Sequence, residues 1–231
     1  MNLLRKLKRL VFSPEKKWRK IKFGIAKGCW FPIDRRSHLR IELGLFELPL
    51  VKYFRDFSKK AKVAYDVGAE MGYYSLALAK LMGEGSRIYS FETNNLYFAR
   101  FPELIKRNNL ESRIKVLEAY VTKRDDVSSH GIAIDSFVYE KGNPVPDLIK
   151  MDIEGEELNA LQGAERVLKE HHPKLILEVH SYELVTQCRS FLRGLGYVVQ
   201  EVKLGWFNKI FPEARSDGRN EYNGWLVAKY K

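Results

Sequence analysis

Apolar residues follow two rhythms along this chain. Residues 147–152 (Asp-Leu-Ile-Lys-Met-Asp) and 174–180 (Lys-Leu-Ile-Leu-Glu-Val-His) are short, nearly continuous apolar runs, as expected of strands covered on both faces. Further strands are predicted at 63–67, 87–92, 114–118, 197–202 and 223–229. Between them apolar positions return every three or four residues over 73–82, 95–108, 156–170 and 182–195, the spacing of helices with one buried face. Pro102 should kink or shorten the second of these. Strands alternating with helices through short connections predict an α/β fold, a doubly wound, Rossmann-like, seven-stranded and mostly parallel sheet. Residues 203–222 read as a loop, with no crossover helix, so the last strand should run antiparallel.

Ahead of this pattern, residues 28–43 mix glycine, proline and alternating apolar positions and predict irregular structure or a short strand pair. A helix from Phe46 to Lys60 follows, with Pro49 in its first turn. The organisation expected is a basic extension over 1–27, a lead-in over 28–61 and one domain over 62–231. The 231 residues suffice for one α/β domain with appendages.

Locating the charge changes its meaning. Ten Lys or Arg against Glu15 alone place +9 of the chain's net +11 in residues 1–27, leaving +2 for everything after. Leu3, Leu4, Leu7, Leu10 and Val11 recur at helical spacing between Arg5, Lys6, Lys8 and Arg9, and Ser13-Pro14 ends the pattern. Three readings fit: a helix packed on the domain, a helix lying on an anionic membrane surface, or an arm for RNA. Lysines and arginines interrupt every apolar run, which excludes a signal peptide, and no window approaches the roughly 18 apolar residues of a membrane span. Cys29 and Cys188 are far apart and share no spacing with histidines, so a reducing, cytoplasmic compartment is expected.

The chemistry begins where the strand at 63–67 meets its helix. Gly68 turns the chain sharply, and Gly72 lets the helix start close to a ligand. Glu92, twenty residues on and at the end of the next strand, is placed to accept hydrogen bonds from ribose hydroxyls. Asp66 and Glu70 stand where a dinucleotide's pyrophosphate would lie and would repel it. They suit a ligand carrying an ammonium and a sulfonium, as S-adenosylmethionine does. Asp66 also reads as a strand-end cap.

Tyr65-Asp-Val-Gly-Ala-Glu-Met-Gly-Tyr-Tyr-Ser75 resembles the first motif of the FkbM methyltransferases, D-V-G-A-N-x-G-x-Y-S. Ile134-Asp-Ser-Phe137 is similar to that family's I/L-D-S/D-F element, and Asp147-Leu-Ile-Lys-Met-Asp-Ile-Glu-Gly-Glu-Glu157 to its D-L-I-K-I-D-V-E-G-x-E signature. Leu161-Gln-Gly-Ala164 and Pro173-Lys-Leu-Ile-Leu-Glu-Val-His180 continue the order. The likeness spans about residues 62 to 202. Glu70 replaces the family asparagine, and Thr93 the proline usual after the second-strand acid. The resemblance implies a class I methyltransferase fold, S-adenosylmethionine as cofactor, and hydroxyl acceptors in sugars, glycolipids, exopolysaccharide or polyketide products. It implies a cofactor set of Asp66, Gly68, Ala69, Glu70, Gly72, Tyr73, Tyr74, Ser75, Glu92, Thr93 and Asp152.

In open α/β sheets ligands bind beyond the carboxyl ends of the strands, which selects Asp152, Glu154, Glu178 and His180. Lys150 and Asp152 share a strand side and should be paired, because a lone lysine is costly to bury. Asp152 is expected to face the acceptor, with His180 or Glu178 as base and Lys150 in support. The alternative for each is structural: an internal ion pair, a capping glutamate, or a strand-end histidine turned to solvent. Asp152, Glu178 and His180 would also suit a divalent metal, though no local ligand motif predicts one. His171 and His172, before Pro173, read as structural, and residues 118 to 121 as a candidate adenine wall. Partners expected are a small-molecule or glycan hydroxyl acceptor and, through residues 1–27, an anionic membrane. An RNA methyltransferase, against which the nearly neutral body and the missing Asn/Asp-Pro-Pro-aromatic motif argue, and a non-catalytic cofactor-binding module are the competing functions.

Overall fold

The computed structural model describes residues 11–13, 15–203 and 224–231. The leader helix predicted from Leu3 to Val11, except Val11 itself, Pro14 and all of the 203–222 loop after Lys203 lie outside the described residues.

The chain opens with a hairpin, β1 (Lys17–Lys20) against β2 (Trp30–Ile33), antiparallel. Part of the basic segment is therefore built into the body, and Ile21, Ile25 and Ala26 beyond β1 are buried. Asn108 fastens the hairpin to the domain, donating to Trp30 O at 2.9 Å and accepting Trp30 N–H at 2.8 Å. The short strand pair expected within 28–43 thus draws its partner from before residue 28. The rest of that stretch is a helix, α1 (Arg35–Glu42), whose N-cap Asp34 accepts the Arg36 N–H. A 3₁₀ turn at Leu48–Leu50, holding Pro49, precedes α2 (Val51–Ser58), so the predicted Phe46–Lys60 helix is shorter and starts later.

The domain proper runs β3 (Val63–Val67), α3 (Tyr73–Met82), β4 (Arg87–Glu92), α4 (Asn95–Phe98), α5 (Phe101–Arg107), β5 (Ile114–Glu118), the short pair β6 (Tyr120–Val121) and β7 (Gly131–Ile132), a π-helical turn (Ser136–Glu140), β8 (Leu148–Met151), α6 (Glu157–Gln162), α7 (Glu165–His171), β9 (Lys174–Val179), α8 (Tyr182–Gly194), β10 (Tyr197–Val202) and β11 (Gly224–Tyr230). The main sheet has seven strands in the order β10-β11-β9-β8-β3-β4-β5. From β9 to β5 all are parallel, and β11 is antiparallel to both β9 and β10. The last strand runs as expected of a loop entry.

Strand residues alternate between two cores. Ala64, Ile88, Leu148 and Ile176 face α2, α3 and α5. Tyr65, Val67, Ile149, Met151, Leu175 and Leu177 face α6, α7 and α8. Two predicted helices are each divided. Within 95–108 the second piece starts afresh at Phe101 with Pro102 in its first turn, where a missing N–H is harmless. Within 156–170 the break falls at Gly163-Ala164: a Cβ on Gly163 would lie 2.1 Å from Thr122 O. The new helix is capped from elsewhere, since the Asp135 carboxylate accepts the Arg166 and Val167 N–H groups, both at 2.9 Å. Asp147 likewise accepts the Lys62 and Val63 N–H groups and anchors the start of β3.

Candidate active site

Strand order reverses direction at β3, which has β4 on one side and β8 on the other, and a crevice opens there beyond the strand ends. The turn after β3 is held by backbone. Gly68 and Ala69 N–H both donate to Phe91 O at 3.0 Å. Gly68 has φ +75, and a Cβ there would stand 1.7 Å from Asp152 O, so only glycine lets β3 and β8 end this close together. Glu70 sits in the left-handed region at φ 47, and its N–H donates to Glu92 Oε2 at 2.5 Å. The other oxygen of Glu92 accepts Asn94 N–H at 2.6 Å.

A cavity of about 300 Å³ lies over this turn. Gly68, Glu70, Glu92, Thr93, Tyr97, Tyr120, Asp152, Glu154 and Glu156 are among its walls, and the volume is that of a small-molecule site. Of the predicted cofactor set, Gly68, Glu70, Glu92, Thr93 and Asp152 line it. Ala119, Tyr120 and Val121, from the candidate adenine wall, line it as well. The remaining residues lie in or beneath the turn. Asp66 is fully buried, accepting from Ser75 Oγ at 2.6 Å, and Ser75 Oγ in turn meets Ser90 Oγ at 2.8 Å. Tyr74 stacks on Phe54 and bonds Glu47 through its hydroxyl. Tyr73 packs edge-on against Phe31 and Phe46. Ala69 is buried, and Gly72 opens α3 with φ 80 under Phe101 and Leu104. Asp66 is thus a support for the turn, nearer to the cap reading than to a ligand contact.

Lys150 fills the space between the acids. Its Nζ is 3.8 Å from Asp66 Oδ1, 3.7 Å from Asp152 Oδ2 and 3.1 Å from Gly68 O. Burial works against this ammonium, but Asp152, Asp66, Glu70 and Glu47 outweigh it and hold Lys150 protonated, well above the usual lysine value. Burial also pushes the Asp66 carboxyl up, with Lys150 and Ser75 pulling it back. Glu70 is exposed at its surface, yet the protein around its carboxyl partly desolvates it and Asp152 repels it, so that carboxyl is raised too.

Beyond Asp152, on the β9 side, lie the other predicted catalytic residues. His180 Nε2 is 3.4 Å from Asp152 Oδ1, and His180 Nδ1 is 2.8 Å from Glu157 Oε1. Burial opposes the imidazolium, but the bond to Glu157 and the charges of Asp152, Glu157 and Glu178 raise His180 above its ordinary value. Burial, with Asp152 beside it, pushes the Glu178 carboxyl up to about 7. His180 is therefore turned inward, not to solvent. Asp152, Glu178 and His180 each offer a ligand atom within 4.8 Å of the others. These donor types suit a divalent ion, while the Lys150 ammonium already meets Asp152 from the other side. Glu154, at φ 51, lines the cavity over the glycine turn.

Glu157 is the residue that sequence reasoning did not select. It closes the Glu-Gly-Glu-Glu run and looks like a first-turn helix acid, but it is fully buried and also accepts Gly155 N–H at 3.1 Å. Its place in the D-L-I-K-M-D-I-E-G-E-E motif was the available signal.

The sheet order, the single reversed strand β11 and the crevice at β3 define a class I methyltransferase fold. Residues 101–199 match the methyltransferase FkbM domain, so the family resemblance read from the sequence is shown over that segment. Among solved structures, the chain is similar to a methyltransferase FkbM from Methylobacillus flagellatus KT, with 20% identity and a TM-score of 0.55, covering 83% of this chain and 53% of that one. This chain thus spans about half the length of that protein. It is also similar to a precorrin-6y C5,15-methyltransferase from Geobacter metallireducens GS-15 (16% identity, TM-score 0.54, 78% of this chain and 86% of that one). A third is an O-methyltransferase from Bacillus cereus in complex with SAH (16%, 0.52, 78% and 81%). No curated protein matches the sequence.

Proposed function

We propose that the protein is an S-adenosylmethionine-dependent O-methyltransferase acting on a hydroxyl of a sugar, glycan, glycolipid or related natural product. The observation that carries this reading is the position of Asp152. It lines the acidic cavity over the glycine turn and, through its other face, meets His180. The cavity's donor set fits the cofactor: carboxylates of Glu70, Glu92, Asp152 and Glu154 favour a cationic ligand and disfavour a pyrophosphate. When bound, S-adenosylmethionine supplies an electrophilic methyl on a sulfonium that leaves as a neutral thioether.

The chain's own residues then have distinct tasks. Glu92 keeps the turn in place and offers the acid for ribose hydroxyls. Lys150 holds Asp152 at the junction of the two halves of the site. A neutral alcohol is a poor nucleophile, and His180 Nε2, or the Glu178 carboxylate, is placed to take its proton as the new O–C bond forms. Positioning supplies much of the remaining rate.

The basic N-terminal region supports an acceptor presented at an anionic, cytoplasmic membrane face. Phe23 and Trp30 are exposed there, at 58% and 37%, among Lys20, Lys22 and Lys27. No helix among the described residues is long and apolar enough to cross a membrane.

The test is transfer of labelled methyl from S-adenosylmethionine to a panel of lipid-linked sugars, free glycans and RNA. Label in a glycan or lipid-linked sugar, lost in Asp152→Asn, supports the reading. Label in RNA alone, with steep salt dependence, would replace it.

A further inference from the structure

Resting on the methyltransferase reading above, we propose that Glu157 is a positioning residue: it fixes neutral His180 as the Nδ1–H tautomer and so turns the Nε2 lone pair toward Asp152 and the acceptor side of the site. A neutral imidazole has one N–H, and here two carboxylates compete for it. Glu157 Oε1 lies 2.8 Å from Nδ1, whereas Asp152 Oδ1 lies 3.4 Å from Nε2. Distance favours Glu157, and burial favours it further. The Glu157 side chain is completely buried, while Asp152 is 21% exposed and has Lys150 beside it.

Without the imidazole N–H, Glu157 would keep only the Gly155 N–H on Oε1, and its Oε2 has no hydrogen-bond partner among the described residues. Leaving that carboxylate poorly satisfied costs far more than leaving Asp152 to Lys150 and solvent. The proton therefore belongs on Nδ1. The free nitrogen faces Asp152, which can then stabilise the imidazolium formed when Nε2 takes a proton. The logic is that of an acid orienting a histidine base, assembled here from the first turn of α6 and the residue after β9.

Nitrogen-15 NMR of the full-length protein alone, in chelator and at a pH where His180 is neutral, reads the tautomer directly. His180→Asn assigns the signals. The expected wild-type spectrum has a protonated Nδ1 and an unprotonated Nε2. In Glu157→Gln, whose amide can donate to Nδ1 as well as accept from it, the Nε2–H form should gain population. Calorimetric binding of S-adenosylmethionine should stay within about twofold of wild type, since Glu157 does not line the cofactor cavity. A wild-type spectrum dominated by Nε2–H overturns the proposal whether or not the variant folds, as does a folded Glu157→Gln protein with an unchanged tautomer. If neither protein binds S-adenosylmethionine, the cofactor reading fails, and the tautomer spectrum still decides the role of Glu157.

Discussion

Glu92 holds Glu70: the acid ending β4 accepts the backbone N–H of the one residue in the β3–α3 turn that is left-handed without being glycine. Glu92 therefore shapes the cavity floor besides lining it. The same bond does not depend on the side chain at position 70, so a glutamate can keep it where the resemblance puts an asparagine, since the anchoring group is the backbone.

Glu70→Asn should stabilise the protein. A left-handed conformation costs an ordinary residue about 1–2 kcal/mol, and asparagine adopts it more readily. The variant also removes a carboxyl repelled by Asp152. Thermal unfolding should shift upward by about 2–4 °C for about 1 kcal/mol in a chain of this size. An unchanged or lower midpoint would mean that the Glu70 side chain makes a compensating contact.

Gly68→Ala should be strongly destabilising, by about 3 kcal/mol or more, because the new methyl collides with backbone that cannot rotate away. The colliding atom is Asp152 O, so cofactor binding should fall with stability. Denaturant titration and calorimetry on the same sample check both parts.

Lys150→Met removes the cation that Asp66 and Asp152 face. Asp66 is then a buried acid with only Ser75 beside it, and the cost should be about 3–5 kcal/mol. Adding Asp66→Asn should recover part of that loss. A double variant no better than the single one would show that Lys150 acts through Asp152 alone.

The pH response follows from the Glu178 and His180 pair. A raised carboxyl or imidazole favours the fold while protonated, so this stabilisation is complete on the acid side. Glu178's share is lost as pH rises from 4.5 through about 7, and His180's as pH rises from 6.5 through its raised value. Relative to wild type, Glu178→Gln should therefore gain stability as pH increases across that window. Methyl transfer should run the opposite way, rising with pH as the base loses its proton, in two macroscopic steps shared by the pair. A rate independent of pH across this window would remove both residues from base catalysis.

The sheet was legible because its strands are apolar on both faces, and so was the antiparallel β11, because the sequence over 203–222 carries no helical pattern. The two helix breaks were less so. Apolar spacing runs on through Gly163, and the interruption there comes from Thr122 backbone and the remote Asp135 cap. α1 was hidden by its charged sequence, Arg-Arg-Ser-His-Leu-Arg-Ile-Glu, although Asp34 was a readable cap. At the site, Gly68, Glu92 and Asp152 follow from strand ends alone. Asp66 and Ser75 look identical in sequence to ligand-facing residues, and only their places in the fold, one on β3 and the other in the first turn of α3 bonded to it, put them underneath. Glu157 needed the third dimension, because helix α6 and strand β9 meet only in the fold.

Calorimetric titration of the full chain with S-adenosylmethionine reads whether the acidic cavity between β3 and β4 binds the cofactor. Single-site binding is expected, weakened at least about tenfold in a folded Glu92→Ala protein. Absence of binding by wild type, or equal affinity in Glu92→Ala, would contradict it.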